Sequence, residues 1–243
     1  MIDIHAHILP GMDDGAEDLR DMLEMARMAV ESGISVMVAT PHCNIPGVYD
    51  NYFDQKFKEN YHRVCNALEA EGLPLQLLLG MEVFATPDLP QLLEEGKLLP
   101  INGGRYLLVE FPFEEDLDYV EEILEAVLDA GLLPVIAHAE RYECIQDNIF
   151  ALEKWRDRGV MIQVNKGSLI GRFGKYSHRA AHAMMRRNMV DVIASDCHRP
   201  YHRTPEMTEV YRSLERQYSR AYLEQLFHEN PERICRSQEV MKW

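Results

Sequence analysis

Apolar runs rich in Val, Ile and Leu recur roughly every thirty residues along the chain, and the segments between them carry apolar positions at helical spacing. The runs are "MIDIHAH", "ISVMVATPH", "LQLLLGMEV", "YLLVEFPF", "LLPVIAHAE", "VMIQVNKGS" and "VDVIASDCH". Near-continuous apolar strands alternating with helices predict βαβ units around a parallel sheet buried on both faces. Seven such repeats predict a single α/β domain over residues 1–243, built as a distorted (β/α)7 TIM-like barrel. An open doubly wound sheet is the competing arrangement, but no G-x-G-x-x-G follows the first strand. The segment "EDLRDMLEMARMAVESG" predicts the first helix, with Leu19, Met22, Leu23, Ala26, Ala29 and Val30 on its core face and Gly33 near its end. Met28 then projects outward beside Glu24 and Arg27, where it suits a subunit contact. The polar and aromatic stretch "GVYDNYFDQKFKENYHRV" reads as a loop leading into a surface helix that borders a pocket.

The polar residues that interrupt this pattern fall in one kind of place. Read to their C-terminal ends, the strands deliver His5 and His7, then His42, Glu82, Glu110 and His138, and last Asp196 with His198. In a barrel those ends converge on one face, where active sites of this architecture are built. His5 and His7 have one residue between them on a strand and therefore point to the same side. The "DDG" at 13–15 turns the chain so that a carboxylate can reach back to them. Carboxylates crowded in this way repel one another and pay desolvation unless a cation neutralises them. With Asp14 the set has nine members, all imidazole or carboxylate, which is too many for one ion and suits two or three of Mn, Zn or Fe.

Composition narrows the partners. A net charge of -15 repels a phosphate backbone, so nucleic acid is not expected. No apolar run is long enough to cross a bilayer, and the first residues lack a signal peptide's basic and apolar segments, so a cytoplasmic protein is expected. The five cysteines are scattered, without a C-x-x-C pair, which argues against both disulfides and a thiolate zinc site.

Taken together, "DIHAHILPGMDDG", "TPHCN", "GMEV", "LVEFP", "IAHAERY" and "SDCHRPYHR" resemble the polymerase-and-histidinol-phosphatase (PHP) superfamily. More narrowly they are similar to the manganese-dependent protein-tyrosine phosphatases of bacterial capsule and exopolysaccharide operons, the CpsB/CapC type. The resemblance implies three metals: one held by His5, His7, Glu82 and Asp196, a second by Glu82, Glu110 and His138, and a third by Asp14, His42 and His198. It alone selects Asp14 over Asp13, and it assigns phosphate binding to Arg141 and Arg203. It further implies Mn2+ as cofactor and, as partner, the phosphotyrosine-bearing tail of a bacterial tyrosine kinase. Homo-oligomers through the first helix, around Glu24, Arg27 and Met28, are implied as well. Cys43 stands where many relatives have a second histidine, and Lys166 where a small residue is more usual, so both bear on the substrate pocket.

A water bridging two divalent ions has its pKa lowered toward neutrality, which supplies hydroxide for in-line attack on phosphorus. Arg141 and Arg203 would stabilise the equatorial oxygens, since a guanidinium donates two hydrogen bonds to a phosphate. For the leaving group's proton, a metal-bound water and the histidines His178, His198 and His202 are all open. "CHRPYHRT" also fits C-x5-R-T, the spacing of cysteine-dependent phosphatases, but Pro200 removes a backbone donor from that loop, and Cys197 reads as a packing residue. Histidinol phosphate or another small phosphoester is the alternative substrate, followed by a nuclease and by a metal-binding regulator without turnover.

Overall fold

All seven apolar runs become strands in the computed structural model, which describes residues 1–243. In chain order the strands are β1 (Ile2–Ala6), β2 (Val36–Ala39), β3 (His42–Cys43), β4 (Gln76–Leu79), β5 (Glu82–Phe84), β6 (Tyr106–Glu110), β7 (Leu133–Ile136), β8 (Met161–Asn165) and β9 (Val192–Ala194). The helices that alternate with them are α1 (Leu19–Glu31), α2 (Gln55–Ala70), α3 (Leu89–Glu94), α4 (Leu117–Asp129), α5 (Glu143–Asp147), α6 (Ala151–Asp157), α7 (Lys166–Leu169) and α8 (Gly174–Arg186). After the last strand come α9 (Thr208–Leu214), α10 (Arg220–Glu224) and α11 (Asn230–Cys235). No helix is long and apolar enough to cross a membrane.

Every strand pair is parallel, as burial on both faces requires. The second and third runs each give two strands rather than one, because Pro41 lacks the N–H that a continuous ladder needs and Gly80, level with Thr40 in the register, breaks the partner strand one residue earlier. The order is β1-β2-β4 in one sheet and β3-β5-β6-β7-β8-β9 in the other, and β3 and β5 carry on where β2 and β4 stop. The result is a curled parallel sheet with helices outside. His42 and Glu82 therefore open short strands instead of ending long ones, and they are register partners.

The main core, 56 buried residues, fills the space between sheet and helices, while a smaller set of 14 fills only one end of the sheet's inner face. Ile4, Val38, Leu108, Val135, Met161 and Val192 belong to that set, so the other end of the inner face is left to polar side chains. In β1 the register to β2 shifts between Asp3 and Ala6. This bulge lets Ile4 pack with the apolar end while His5 and His7 still turn toward the polar end.

The first helix departs from its expected stripe. Asp18 caps it, accepting from the N–H groups of Arg20 and Asp21. Its buried residues are Met22, Met25, Ala26 and Ala29, whereas Leu19, Leu23 and Val30 are only half-buried. Met28 is half-buried too, not exposed, and Arg27 pairs within the chain with Glu71 at 2.6 Å. The α1 axis is thus rotated so that Met25 replaces the leucines at the centre of the contact.

Candidate metal centre

The polar end of the inner face receives all nine candidate ligands. His5 and His7 leave β1 with their Nε2 atoms 3.2 Å apart. Glu82 stands between them and the later strands: its Oε1 is 3.1 Å from His5 Nε2 and 3.0 Å from His138 Nε2, and its Oε2 is 3.3 Å from His7 Nε2. His42 Nδ1 lies 3.0 Å from Glu82 and 3.3 Å from Glu110, which ends β6. Asp196 Oδ1 is 3.5 Å from His5 and 3.4 Å from His7. Asp14, half-exposed, closes the group with Oδ1 3.3 Å from His198 Nε2 and 3.6 Å from His42 Nε2. Three subsets converge closely enough to share an ion: His7, Asp14, His42 and His198; His5, His7 and Asp196; and His42, Glu82 and Glu110. His7 and His42 each belong to two of these and His138 to none, whereas the groups implied by resemblance share only Glu82; His138 instead reaches the cluster through Glu82.

Local backbone makes this convergence possible. His138 and Asp196 both take left-handed conformations, φ 34° and 49°, as does Arg203 at 53°. Such residues cost about 1 kcal/mol or more each and gather where function over-determines the chain. Gly15 lets the 13–15 turn pack on β1: a Cβ there would stand 2.1 Å from the carbonyl oxygen of His7. Tyr49, in the loop before α2, stacks on the His42 ring at 5.8 Å, so that loop does border the site.

A second layer of residues, which the sequence reading passed over, orients the first. Asp13 Oδ2 accepts from His7 Nδ1 at 2.7 Å and from the His42 backbone N–H at 2.8 Å. Gln163 Oε1 accepts from the backbone N–H of His138 at 2.8 Å and from His5 Nδ1 at 3.0 Å. Its amide donates to Asn165, which in turn donates to Asp196 Oδ2 at 2.5 Å. In His5 and His7 the Nδ1 faces an acceptor oxygen and therefore donates, so Nε2 is the atom each ring offers to a metal. The signal for Gln163 and Asn165 was present, as two amides at alternate positions of an otherwise apolar buried strand.

Burial opposes the charged form of each of these groups, and the opposite charges around it overturn that effect for most. Against burial, His5 and His42 hold the Glu82 carboxyl well below its ordinary range, and Arg203 and His5 do the same for Asp196. Glu82 and Glu110 push His42 up to about 10 and His138 up to about 9 despite burial. His198 is the exception, lowered by burial and by the neighbouring His7. His42 Nδ1, Glu82 Oε2, Glu110 Oε2, Asp196 Oδ1 and His198 Nε2 are buried in the cluster without a hydrogen-bond partner. They face opposite charge at 3.0–3.4 Å, so ion pairing without a directed hydrogen bond is all that satisfies them. Nitrogen and oxygen donors left without a hydrogen bond and converging, with no thiolate among them, fit borderline divalent cations such as Mn, Zn or Fe.

The two arginines meet on one aromatic plate. The Arg141 guanidinium lies between Phe113 and Phe173, 4.3 and 4.7 Å from the ring centroids. Arg203 lies 5.5 Å from the Phe173 centroid and pairs with Asp196. A cavity of about 130 Å³ beside them is lined by Lys166, Arg172, Phe173, Tyr201, His202 and Arg203. Lys166 is buried and donates to the backbone carbonyls of Thr204 and Glu206, and Cys43 is buried beside Val83. Of the candidate general acids, His198 is in the cluster, His202 lines that cavity, and His178 lies in a separate groove, tied to the Ser168 carbonyl at 2.9 Å. Burial pushes the Cys197 thiol up to about 12.

Residues 1–236 match the family described as capsular polysaccharide synthesis, CpsB/CapC. Tyrosine-protein phosphatase YwqE of Bacillus subtilis (strain 168) is 37% identical over 242 residues, covering 100% of this chain and 94% of the relative. Tyrosine-protein phosphatase CpsB of Streptococcus pneumoniae is 29% identical over 243 residues, covering 98% and 99%. A solved structure described among those of YwqE and CpsB, "unique metal-dependent tyrosine phosphatases", superposes with a TM-score of 0.91 at 36% identity over 100% of this chain and 97% of that one. A resiniferatoxin-binding protein from Rhodobacter sphaeroides shares the fold alone, with a TM-score of 0.66 at 12% identity over 99% of this chain and 92% of that one.

Proposed function

The chain belongs to the capsular polysaccharide synthesis CpsB/CapC family, and from that premise we propose that it is a metal-dependent protein-tyrosine phosphatase. Its substrate in this reading is the phosphotyrosine-bearing tail of a bacterial tyrosine kinase that governs capsule or exopolysaccharide synthesis in the cytoplasm. The observation that carries the proposal is the set of nine imidazoles and carboxylates at the polar end of the sheet, next to two arginines that share one phenylalanine ring. Residues 1–243 form one domain, and the curled sheet is read as a distorted seven-stranded barrel. In support, the first strand and the chain after the last one are joined by His7 N–H to Cys197 O and Asp196 N–H to His5 O, both 2.9 Å.

His5, His7, Asp14, His42, Glu82, Glu110, His138, Asp196 and His198 would hold two or three divalent ions, with Mn2+ the assignment we favour. Bound there, such ions activate water and neutralise phosphoryl charge. The chain's own residues do the rest. Asp13 and Gln163 fix the histidine tautomers, as described. Arg141 packs against the Phe113 and Phe173 rings, and its N–H groups would donate paired hydrogen bonds to phosphoryl oxygens. Arg203 adds a second positive charge on the same side. A protonated, buried Cys197 thiol is a poor nucleophile, which favours attack by water over attack by sulfur.

The test is phosphate release from a phosphotyrosine peptide and from histidinol phosphate, using protein stripped by chelator and then given back manganese, with and without iodoacetamide. Manganese-dependent, alkylation-resistant release that favours the peptide is the expected result. Preference for histidinol phosphate would move the substrate, and activity that survives stripping but dies on alkylation would sink the metal mechanism.

A further inference from the structure

No Asp or Glu occurs between Asp157 and Asp191, although the chain carries 40 acids against 25 lysines and arginines. That stretch contains α8, which exposes Lys175, Arg179 and Arg186, with Arg187 just beyond its end. None of these four pairs with a carboxylate, whereas Arg156, Arg158, Arg172 and Arg199 each do. In so acidic a chain a surface arginine has many intramolecular partners to choose from. A helix that gathers unpaired guanidinium groups and no acid therefore concentrates positive potential in one place.

Arg179 and Arg186 are two turns apart on the same face of α8 and form the common wall of two surface cavities. One, of about 620 Å³, is also lined by His178, His182 and Glu209, and the Glu209 carboxylate is taken up by Arg172 at 3.1 Å. The other, of about 420 Å³, is mixed: Ile145, Ile149 and the exposed Tyr176 give it apolar and aromatic surface, and Gln146 and the single carboxylate of Asp147 complete the wall opposite the two arginines. A ridge of two arginines between a polar groove and a partly apolar one suits an anionic peptide that also carries apolar side chains, since Arg172 takes up the Glu209 carboxylate and Asp147 is the one acid left against two guanidinium groups. The ridge is continuous with the site, because α8 begins directly after Phe173, on whose ring Arg141 and Arg203 both rest.

We infer that the Arg179–Arg186 ridge docks an acidic segment of the protein substrate, adjacent to the phosphotyrosine held at the metal centre. The inference rests on the phosphatase reading and supplies its substrate selectivity. Guanidinium forks recognise carboxylates and phosphates bidentately, and clusters of them are a recurring device for binding acidic or phosphorylated motifs. At 1.5 Å per helical residue, Arg179 and Arg186 lie about 9 and about 20 Å along the helix axis from Phe173. An extended peptide rises about 3.3 Å per residue, so the favoured acids fall about three and about six residues from the phosphotyrosine.

The experiment compares manganese-loaded wild type with the R179Q/R186Q double variant on three substrates. These are a phosphotyrosine peptide with Glu three and six residues to either side, the same peptide with Gln in those places, and p-nitrophenyl phosphate. Binding of both peptides with a non-hydrolysable phosphonate in place of the phosphate is followed by fluorescence anisotropy. The wild type should prefer the Glu peptide about tenfold in KM and in Kd, and the variant should lose that preference, since two exposed charge-assisted contacts are of that strength together. Turnover of p-nitrophenyl phosphate should be the same in both proteins, which shows the variant folded and loaded. Equal affinity of wild type for the two peptides overturns the inference. So does a variant that keeps the Glu preference while losing co-sedimentation with phosphatidylserine vesicles, which would make the ridge a membrane contact. Absence of turnover on all three substrates would overturn the phosphatase reading instead, and the anisotropy comparison would then decide the ridge by itself.

Discussion

At the scale of single residues, the side chains that would hold metal and those that orient them make separable contributions. Asp13 accepts from both His7 Nδ1 and the His42 N–H, so removing its carboxylate frees the His7 ring and leaves a buried N–H unpaired. Asp13→Ala should weaken manganese binding about 10–100-fold, the usual cost of losing an outer partner of a ligand histidine, with kcat recovered at saturating metal. Isothermal titration with manganese, alongside kcat at high metal, checks this; a lost kcat at full metal occupancy would give Asp13 a role in the chemistry itself. Arg141→Ala should do the opposite, lowering kcat by about 10²–10³ with metal content unchanged, because its proposed work is electrostatic stabilisation of the transition state. Parallel loss of metal and turnover would show Arg141 to be structural. The ligands themselves were legible in the sequence, since imidazoles and carboxylates at the ends of apolar runs break the pattern visibly. Gln163 and Asn165 were not singled out, because a neutral amide in a strand carries no charge whose burial demands a partner in the sequence. Asp13 and Asp14 are adjacent and chemically identical, and only the folded turn distinguishes the one that grips His7 from the one that faces His198.

At the scale of elements, the site depends on places where regular structure is interrupted. The bulge in β1, the paired breaks at Pro41 and Gly80, and the left-handed His138 and Asp196 all bend the chain toward the cluster. Gly15 is the clearest case, because its Cα hydrogen points at the backbone of β1. Gly15→Ala places a methyl group 2.1 Å from the His7 carbonyl oxygen, far inside van der Waals contact, and backbone has to move to admit it. The variant should lose at least about 1–3 kcal/mol in urea denaturation, and Asp14 should be displaced with the turn, lowering the number of manganese ions bound per chain. An unchanged stoichiometry with lowered stability would separate the turn from the metal site and remove Asp14 from the ligand set. The seven strands were readable from apolar runs because burial on both faces leaves a long unbroken signal. The division of two of them was not, because a ladder break costs one hydrogen bond and changes no hydrophobic pattern. In α1 the spacing admitted two adjacent stripes, and the choice of Met25 over Leu19 and Leu23 was made by the neighbouring α2 and sheet, which the local pattern does not contain.

At the scale of the molecule, the site concentrates negative charge in a chain that is already acidic, and in the metal-free protein protons play the part of counter-ions. The imidazoles of His7, His42 and His138 are raised above the ordinary value of 6.5, the last two to about 10 and about 9. A raised imidazole stabilises the fold fully below 6.5 and loses that contribution as pH climbs through the folded value. Glu82, Glu110 and Asp196 are lowered, so their contribution is present above the ordinary carboxylate range and is lost as pH falls through it. The metal-free protein should therefore be most stable at about pH 5–6 and weaken steadily through about pH 7–10. Divalent ions replace those protons, because a ligating imidazole must be neutral, so metal binding releases protons and tightens as pH rises across the same interval. The gain in Tm on adding manganese should thus be small at pH 6 and grow through pH 7 and 8.5, as scanning fluorimetry of chelator-stripped and reloaded protein would show. A gain that is constant, or that shrinks with pH, would mean that the histidines are already neutral without metal. The ion pairs between His42, His138 and the two glutamates would then not be what holds the empty cluster together.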